Sequence, residues 1–339
     1  MNARARTWTL AAALSLSCLA GCGGEDKPVV VVYTALDEMF SRPILAKFEE
    51  QTGLEVLPVY DTEASKTTGL VMRIINEANR PRADVFWNNE LAQTIVLKHK
   101  GLLEAYASPA AEAIPERYKD PEHFWTGFAA RARVIIYNTD LVQEPPASIM
   151  AYLDPKWKGR AAIAKPLFGT TATHAAALFT LWGEEKAQKF FQGLLANDVA
   201  VLAGNATVRD MVASGAYAWG LTDTDDANGA IEDGLPAKWR FPDQEDGGLG
   251  TLVIPNTVAV VKNAPHPEAA RNLIDYLLSP EVERALAEVR GMQIPLNPAV
   301  EAPQNVPKLS EIRTMNVDFS AVAANMEATA TFIRKEFLR

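Results

Sequence analysis

The chain has 339 residues, 48% hydrophobic and 8% aromatic, enough to bury a large core and to divide into two lobes. A formal charge of −9 at pH 7 argues against a nucleic-acid partner and against a polybasic membrane patch. The two cysteines, Cys18 and Cys22, both fall in the leading segment, so the folded part has no thiol for a disulfide, a zinc–thiolate centre or a cysteine nucleophile.

Arg4 and Arg6 precede an apolar run over residues 10–16, and Leu19-Ala20-Gly21-Cys22 follows. A basic start, a short apolar stretch and small residues before a cleavage point form a secretory signal, too short to span a membrane. The Leu-Ala-Gly-Cys ending resembles a bacterial lipobox. That resemblance implies cleavage before Cys22, lipidation of its sulfur, and a mature protein tethered to a membrane outside the cytoplasm through residues 23–28.

Residues 29–33 are a continuous β-branched run, the mark of a strand buried on both faces. A helix is predicted over 40–52, with Phe40, Ile44, Leu45 and Phe48 on one face and Gly53 closing it. Strands at 54–60 and 83–87 alternate with helices at 70–78 and 91–100, the spacing of βαβ units. The second half repeats the theme. Strands are expected at 133–137, 161–164, 199–202, 216–221, 251–254 and 257–261. Helices are expected at 171–182, 184–195, 211–213, 267–278, 280–288 and 318–338. Pro267 and Pro280 sit at helix starts, where a missing N–H costs nothing.

Enzyme signatures are absent: no His-Glu-x-x-His, no Gly-x-Ser-x-Gly, no Gly-x-Gly-x-x-Gly after a strand and no Walker loop. The four histidines are scattered, and the run from Asp223 to Gly229 fails the EF-hand register. An exported hydrolase using Asp225 or Asp226 as general base would need a nucleophile or metal set that the sequence does not offer. What remains are polar clusters at predicted strand ends, where open α/β sheets bind ligands. They are Asp37 and Glu38; Ser65, Lys66, Thr67 and Thr68; Asn88, Asn89 and Glu90; Thr170 and Thr171; Asn205; and Asp223, Asp225 and Asp226. Each taken alone also reads as a helix cap.

Several segments resemble the periplasmic substrate-binding proteins of bacterial ABC transporters, in their ferric-ion-binding branch. They are Val32-Tyr33-Thr34-Ala35, Phe48-Glu49-Glu50-Gln51-Thr52-Gly53-Leu54, Ala83-Asp84-Val85-Phe86-Trp87, the run from Arg131 to Thr139, Trp157-Lys158-Gly159-Arg160, and the stretch from Ala269 to Glu281. The resemblance implies an α/β fold of two lobes with parallel-rich mixed sheets, helices on both faces and a ligand cleft between the lobes. Residues 28–129 and about 255–305 would form the first lobe. Residues 130–250 and the C-terminal segment of about 306–339 would form the second. It further implies a monomer without a resident cofactor or catalytic activity, which closes over a small ligand and delivers it to an inner-membrane permease.

The chain departs from that branch at the metal. The position that usually carries a histidine or tyrosine after the first strand falls at Asp37 and Glu38. The branch's iron-binding glutamate falls at Asn89, beside Glu90, and its tyrosine pair falls at Asp225 and Asp226. Two ligand readings stay open. Asp37, Glu38, Glu90, Asp225 and Asp226 would form a hard-oxygen cage for a cation, iron first, and their mutual repulsion would itself call for one. Alternatively, the helix starts at Ser65–Thr68 and Thr170–Thr171 attract anions. They would hold either a helper phosphate or carbonate, or the phosphoryl group of a hexose phosphate or aminophosphonate.

Overall fold

The computed structural model describes residues 28–61 and 68–338; the lipobox cysteine Cys22 and the Ser65-Lys66-Thr67 cluster lie outside them. The first part runs β1 (Val29–Thr34), α1 (Glu38–Thr52), β2 (Glu55–Tyr60), α2 (Thr68–Asn76), β3 (Val85–Asn88), α3 (Ala92–His99) and β4 (Leu103–Glu104). The long strand β5 (Thr126–Asn138) leads to β6 (Ala161–Ala164), α4 (Gly169–Trp182), α5 (Glu184–Ala196), β7 (Ala200–Leu202) and α6 (Asn205–Ala213). Then come β8 (Trp219–Asp223), α7 (Thr224–Glu232), β9 (Ala237–Arg240) and β10 (Val253–Val261). The chain finishes with α8 (Pro267–Leu277), α9 (Pro280–Glu288) and α10 (Phe319–Phe332). No described helix is long and apolar enough to cross a membrane.

The strands follow the order β2-β1-β3-β10-β5-β8-β6-β7, with β4 paired to β10 and β9 to β5. β1 runs parallel to β2 and β3, and β6 runs parallel to β7 and β8. β10 and β5 are antiparallel to their neighbours, so the sheet is mixed. Strand alternation explains the apolar runs. Val30, Val32, Val85 and Trp87 enter one core with Phe48 and Leu273, whereas Tyr33 and Phe86 enter another on the opposite face.

β5 joins the two ends of this arrangement. Its first half pairs with β10 and its second half, from Arg133, with β8 and β9. Sequence patterning predicted only the second half, because residues 126–132 include Gly127 and the charged Arg131. Likewise β10 is one strand where two were expected, with a register shift at Pro255/Asn256 marking the gap. Opposite that shift Ala129 takes a left-handed backbone, φ 39°. Helix α7 was not foreseen, because its start is the acidic run at Thr224–Asp226. α10 packs on both α4 and α3, with Asn325 Nδ2 donating to Thr180 Oγ1 at 2.9 Å, and so reaches beyond the second lobe expected for it.

Candidate functional site

The carboxyl ends of β1, β3 and β8 and the starts of α1, α4, α6 and α7 converge beside β5. Asp223 ends β8, and Asp225 and Asp226 lie in the first turn of α7, where negative charge is stabilised by the helix dipole. One carboxylate oxygen from each of Asp223, Asp225 and Asp226 lies within 4.8 Å of the others.

Two arginines from β5 lie against these acids. They alternate with alanines, so Arg131 and Arg133 point to the same face of the strand. Arg133, fully buried, donates from Nη1 to Asp223 Oδ1 at 2.6 Å, and to Thr170 Oγ1 and Asn205 Oδ1, both at 3.1 Å. Arg131, 4% exposed, donates to Asp225 Oδ2 at 3.2 Å and to the carbonyl of Asn89. Burial by itself raises the Asp223 carboxyl, but Arg133, Arg131 and the Thr170 hydroxyl outweigh it and hold it below the usual carboxylate range. Burial likewise lowers Arg131, and Asp225 and Asp223 more than reverse this, so its guanidinium stays charged.

Glu90 stands apart from this cluster. It is fully buried and accepts from the backbone N–H groups of Ala92 and Gln93, from Asn88 Nδ2, and from Thr173 Oγ1 of α4 at 2.7 Å. Burial raises its carboxyl despite these bonds. Its oxygens thus cap α3 and tie it to α4, and the structure does not bring them to the aspartates. Asn88 is also buried, bonded to Glu90 and Thr94. Asn89 meets Arg131 through its carbonyl. Glu38 turns to solvent beside Arg42 and is half exposed, so it too leaves the expected cage. Of the five acids expected to hold a metal, Asp37, Asp225 and Asp226 share one cavity.

That cavity, about 420 Å3, lies between Asp37, Met39 and Phe40 on one side and Ala206, Arg209, Asp225, Asp226 and Gly229 on the other, with Arg290 at its edge. It is far larger than a bare ion and carries charges of both signs. Arg290 donates to the Gly229 carbonyl at 2.8 Å and lies across α7; a Cβ at Gly229 would stand 3.3 Å from its Nε. Arg209 is bonded to Asp210, and that bond, with Asp226 and Asp233 nearby, favours its charged form.

Sequence reasoning missed all four arginines as site residues. Arg131 and Arg133 did carry a signal: two cations at alternate positions of an otherwise apolar strand must meet buried acids. Arg209 and Arg290 carried none, since Arg209 reads as an ordinary helix-surface charge and Arg290 as a charge in the turn after α9.

A sequence profile described as bacterial extracellular solute-binding protein matches residues 83–321. The chain belongs to this family. Among relatives of this solute-binding protein, iron uptake protein A1 of Synechocystis sp. is 28% identical over 341 residues, covering 94% of this chain and 92% of the relative. The major ferric iron-binding protein of Neisseria meningitidis is 27% identical, covering 88% of this chain and 90% of that one. Iron-bound HitA from Pseudomonas aeruginosa shares the fold, with a TM-score of 0.81, 24% identity and coverage of 90% of this chain and 99% of that one. The solute-binding protein therefore has the two-lobed α/β fold of periplasmic binding proteins.

Proposed function

We propose that this protein captures ferric iron together with an anion in the cleft between its lobes and hands it to an ABC permease. The observation that carries this reading is one cavity lined by Asp37 from the start of α1 and by Asp225 and Asp226 from the start of α7. Carboxylate oxygens are hard donors suited to Fe3+. A metal touching Asp37 and the α7 acids favours the closed form by its differential affinity. Arg209 and Arg290 supply planar guanidinium donors for the oxygens of the accompanying anion. The proposal includes a lipid anchor on Cys22, a monomer, and residues 28–129 with about 255–305 as the lobe that carries Asp37.

The test is titration of the protein with ferric citrate, followed by tryptophan fluorescence. Asp225→Ala and Asp226→Ala should each weaken binding at least tenfold, about 1.4 kcal/mol. Unchanged affinity in both moves the site elsewhere. Among the described residues no tyrosine lines the cavity, so the iron complex should lack the strong visible charge-transfer band of an iron–phenolate bond.

The same two arginines favour a second reading, a phosphorylated sugar or amine. Guanidinium groups would hold its phosphate, and the aspartates its hydroxyls or ammonium. Under this reading Arg209→Ala would abolish binding of the organic solute, and ferric citrate would give no response.

A further inference from the structure

The start of α4 has the makings of an oxyanion cradle, and in this chain a carboxylate already occupies it. Asp223 Oδ2 accepts from Thr170 Oγ1 at 2.6 Å and from Asn205 Nδ2 at 3.0 Å, while Oδ1 accepts from Arg133 Nη1 at 2.6 Å. Arg131 approaches Oδ2 at 3.5 Å. Thr171 and Asn205 bond to each other and to Arg133 around the same point. The donors are three kinds of side chain on α4, α6 and β5, and the acceptor is 1% exposed. Such a convergence of charged and hydroxyl donors is what a free phosphate or carbonate would need.

We propose that Asp223 is a built-in anion. Its carboxylate takes the place of a free oxyanion at the start of α4, so the protein completes this half of its cleft without recruiting one there. Two observations support the assignment. Arg133 is fully buried, so its charge must find a counter-charge at this spot. The Thr170 hydroxyl hydrogen goes to Asp223, and the two amide hydrogens of Asn205 go to Asp223 and to Thr170 Oγ1, the latter at 3.0 Å, which leaves neither residue a free hydrogen to offer a second anion. Thr170 and Thr171 were expected from the sequence to bind an external anion; in this proposal Asp223 takes the Thr170 hydroxyl, while Thr171 donates to Asn205 Oδ1. The inference holds whichever cargo the neighbouring cavity takes, because that cavity is common to the wild type and the variants below.

The experiment is a titration with inorganic phosphate, alone and without iron, of the wild type, Asp223→Asn and Asp223→Ala, read as melting temperature. Removing the carboxylate strands Arg133, so both variants should melt lower than wild type in phosphate-free buffer. Phosphate should then bind the variants at least tenfold more tightly than wild type and recover most of the lost melting temperature. Any phosphate bound by Arg209 and Arg290 contributes equally to all three proteins and cancels in the difference. Equal phosphate responses in wild type and variants would overturn the proposal. If neither variant folds, wild-type crystals soaked in phosphate decide. Asp223 still bonded to Thr170 and Asn205 supports the inference, and a phosphate between those residues with Asp223 displaced overturns it.

Discussion

At the scale of single residues, the site is a cluster of buried charges whose protonation is fixed by neighbours. His174 lies on α4 behind Thr170 and Thr171, 4% exposed, with its Nε2 bonded to nothing among the described residues. Burial first, and the Arg133 charge second, lower its pKa from 6.5 to about 3. Between those values the unfolded chain holds a proton that the folded protein lacks, so stability falls as the medium is acidified. The slope approaches about 1.4 kcal/mol per pH unit. Asp223, whose folded pKa is depressed, works in the same direction but only below its unfolded value near 3.8. Urea unfolding at pH 6.5 and 4.5 should therefore show a loss of roughly 2–3 kcal/mol in the wild type. His174→Leu should remove most of that pH dependence. An equally steep acid loss in His174→Leu would assign it to another group.

The site's composition was partly legible at this scale. Asp223, Asp225, Asp226, Thr170, Thr171 and Asn205 are brought together as the polar strand ends suggested. Glu38 and Glu90 were not separable from them by residue type. Only the fold reveals that Glu90 faces into the α3–α4 contact and that Glu38 faces Arg42. A strand-end carboxylate can cap a helix, neutralise an arginine or face a ligand, and sequence spacing does not distinguish these roles.

Among the elements, β5 and β10 carry the connection between the lobes. The Ala129 bulge is secured from both sides. Its N–H donates to Glu283 Oε1 at 2.7 Å, and its carbonyl accepts from Asn256 Nδ2. Glu283, fully buried on α9, also accepts from the N–H groups of Leu296 and Asn297. Burial raises its carboxyl, and the three backbone bonds oppose that rise. Glu283→Ala would orphan three N–H groups. The expected cost is about 3 kcal/mol or more, taking the low end of the penalty for each group, and denaturant unfolding would measure it. A loss under 1 kcal/mol, an order-of-magnitude threshold, would mean that the bulge holds without Glu283. Regular apolar periodicity made β1, β3, β6, α8 and α9 readable within a residue or two. The bulge interrupts that period, which is why the first half of β5 and the continuity of β10 were lost to view.

For the whole molecule, side-chain bonds join elements on the two sides of the cavity, Arg290 to the Gly229 carbonyl among them. Arg131 reaches from β5 to the Asn89 carbonyl on one side and to Asp225 on the other, and Thr173 Oγ1 reaches Glu90 across the α3–α4 contact. They lie beside the cavity of about 420 Å3, which Asp225 lines. Arg131→Met would cut one link and leave Asp225 without its guanidinium. Small-angle scattering should then report a larger radius of gyration in the ligand-free variant than in the ligand-free wild type. Identical radii would mean that Arg131 does not set the opening of the lobes.

The claim that the cleft carries iron with an anion is tested most directly by native mass spectrometry of the protein purified without chelator. The account predicts a mass excess equal to iron plus a small anion, lost on adding a strong chelator and absent from Asp226→Ala. An organic excess that resists chelator and fragments with loss of phosphate would contradict it.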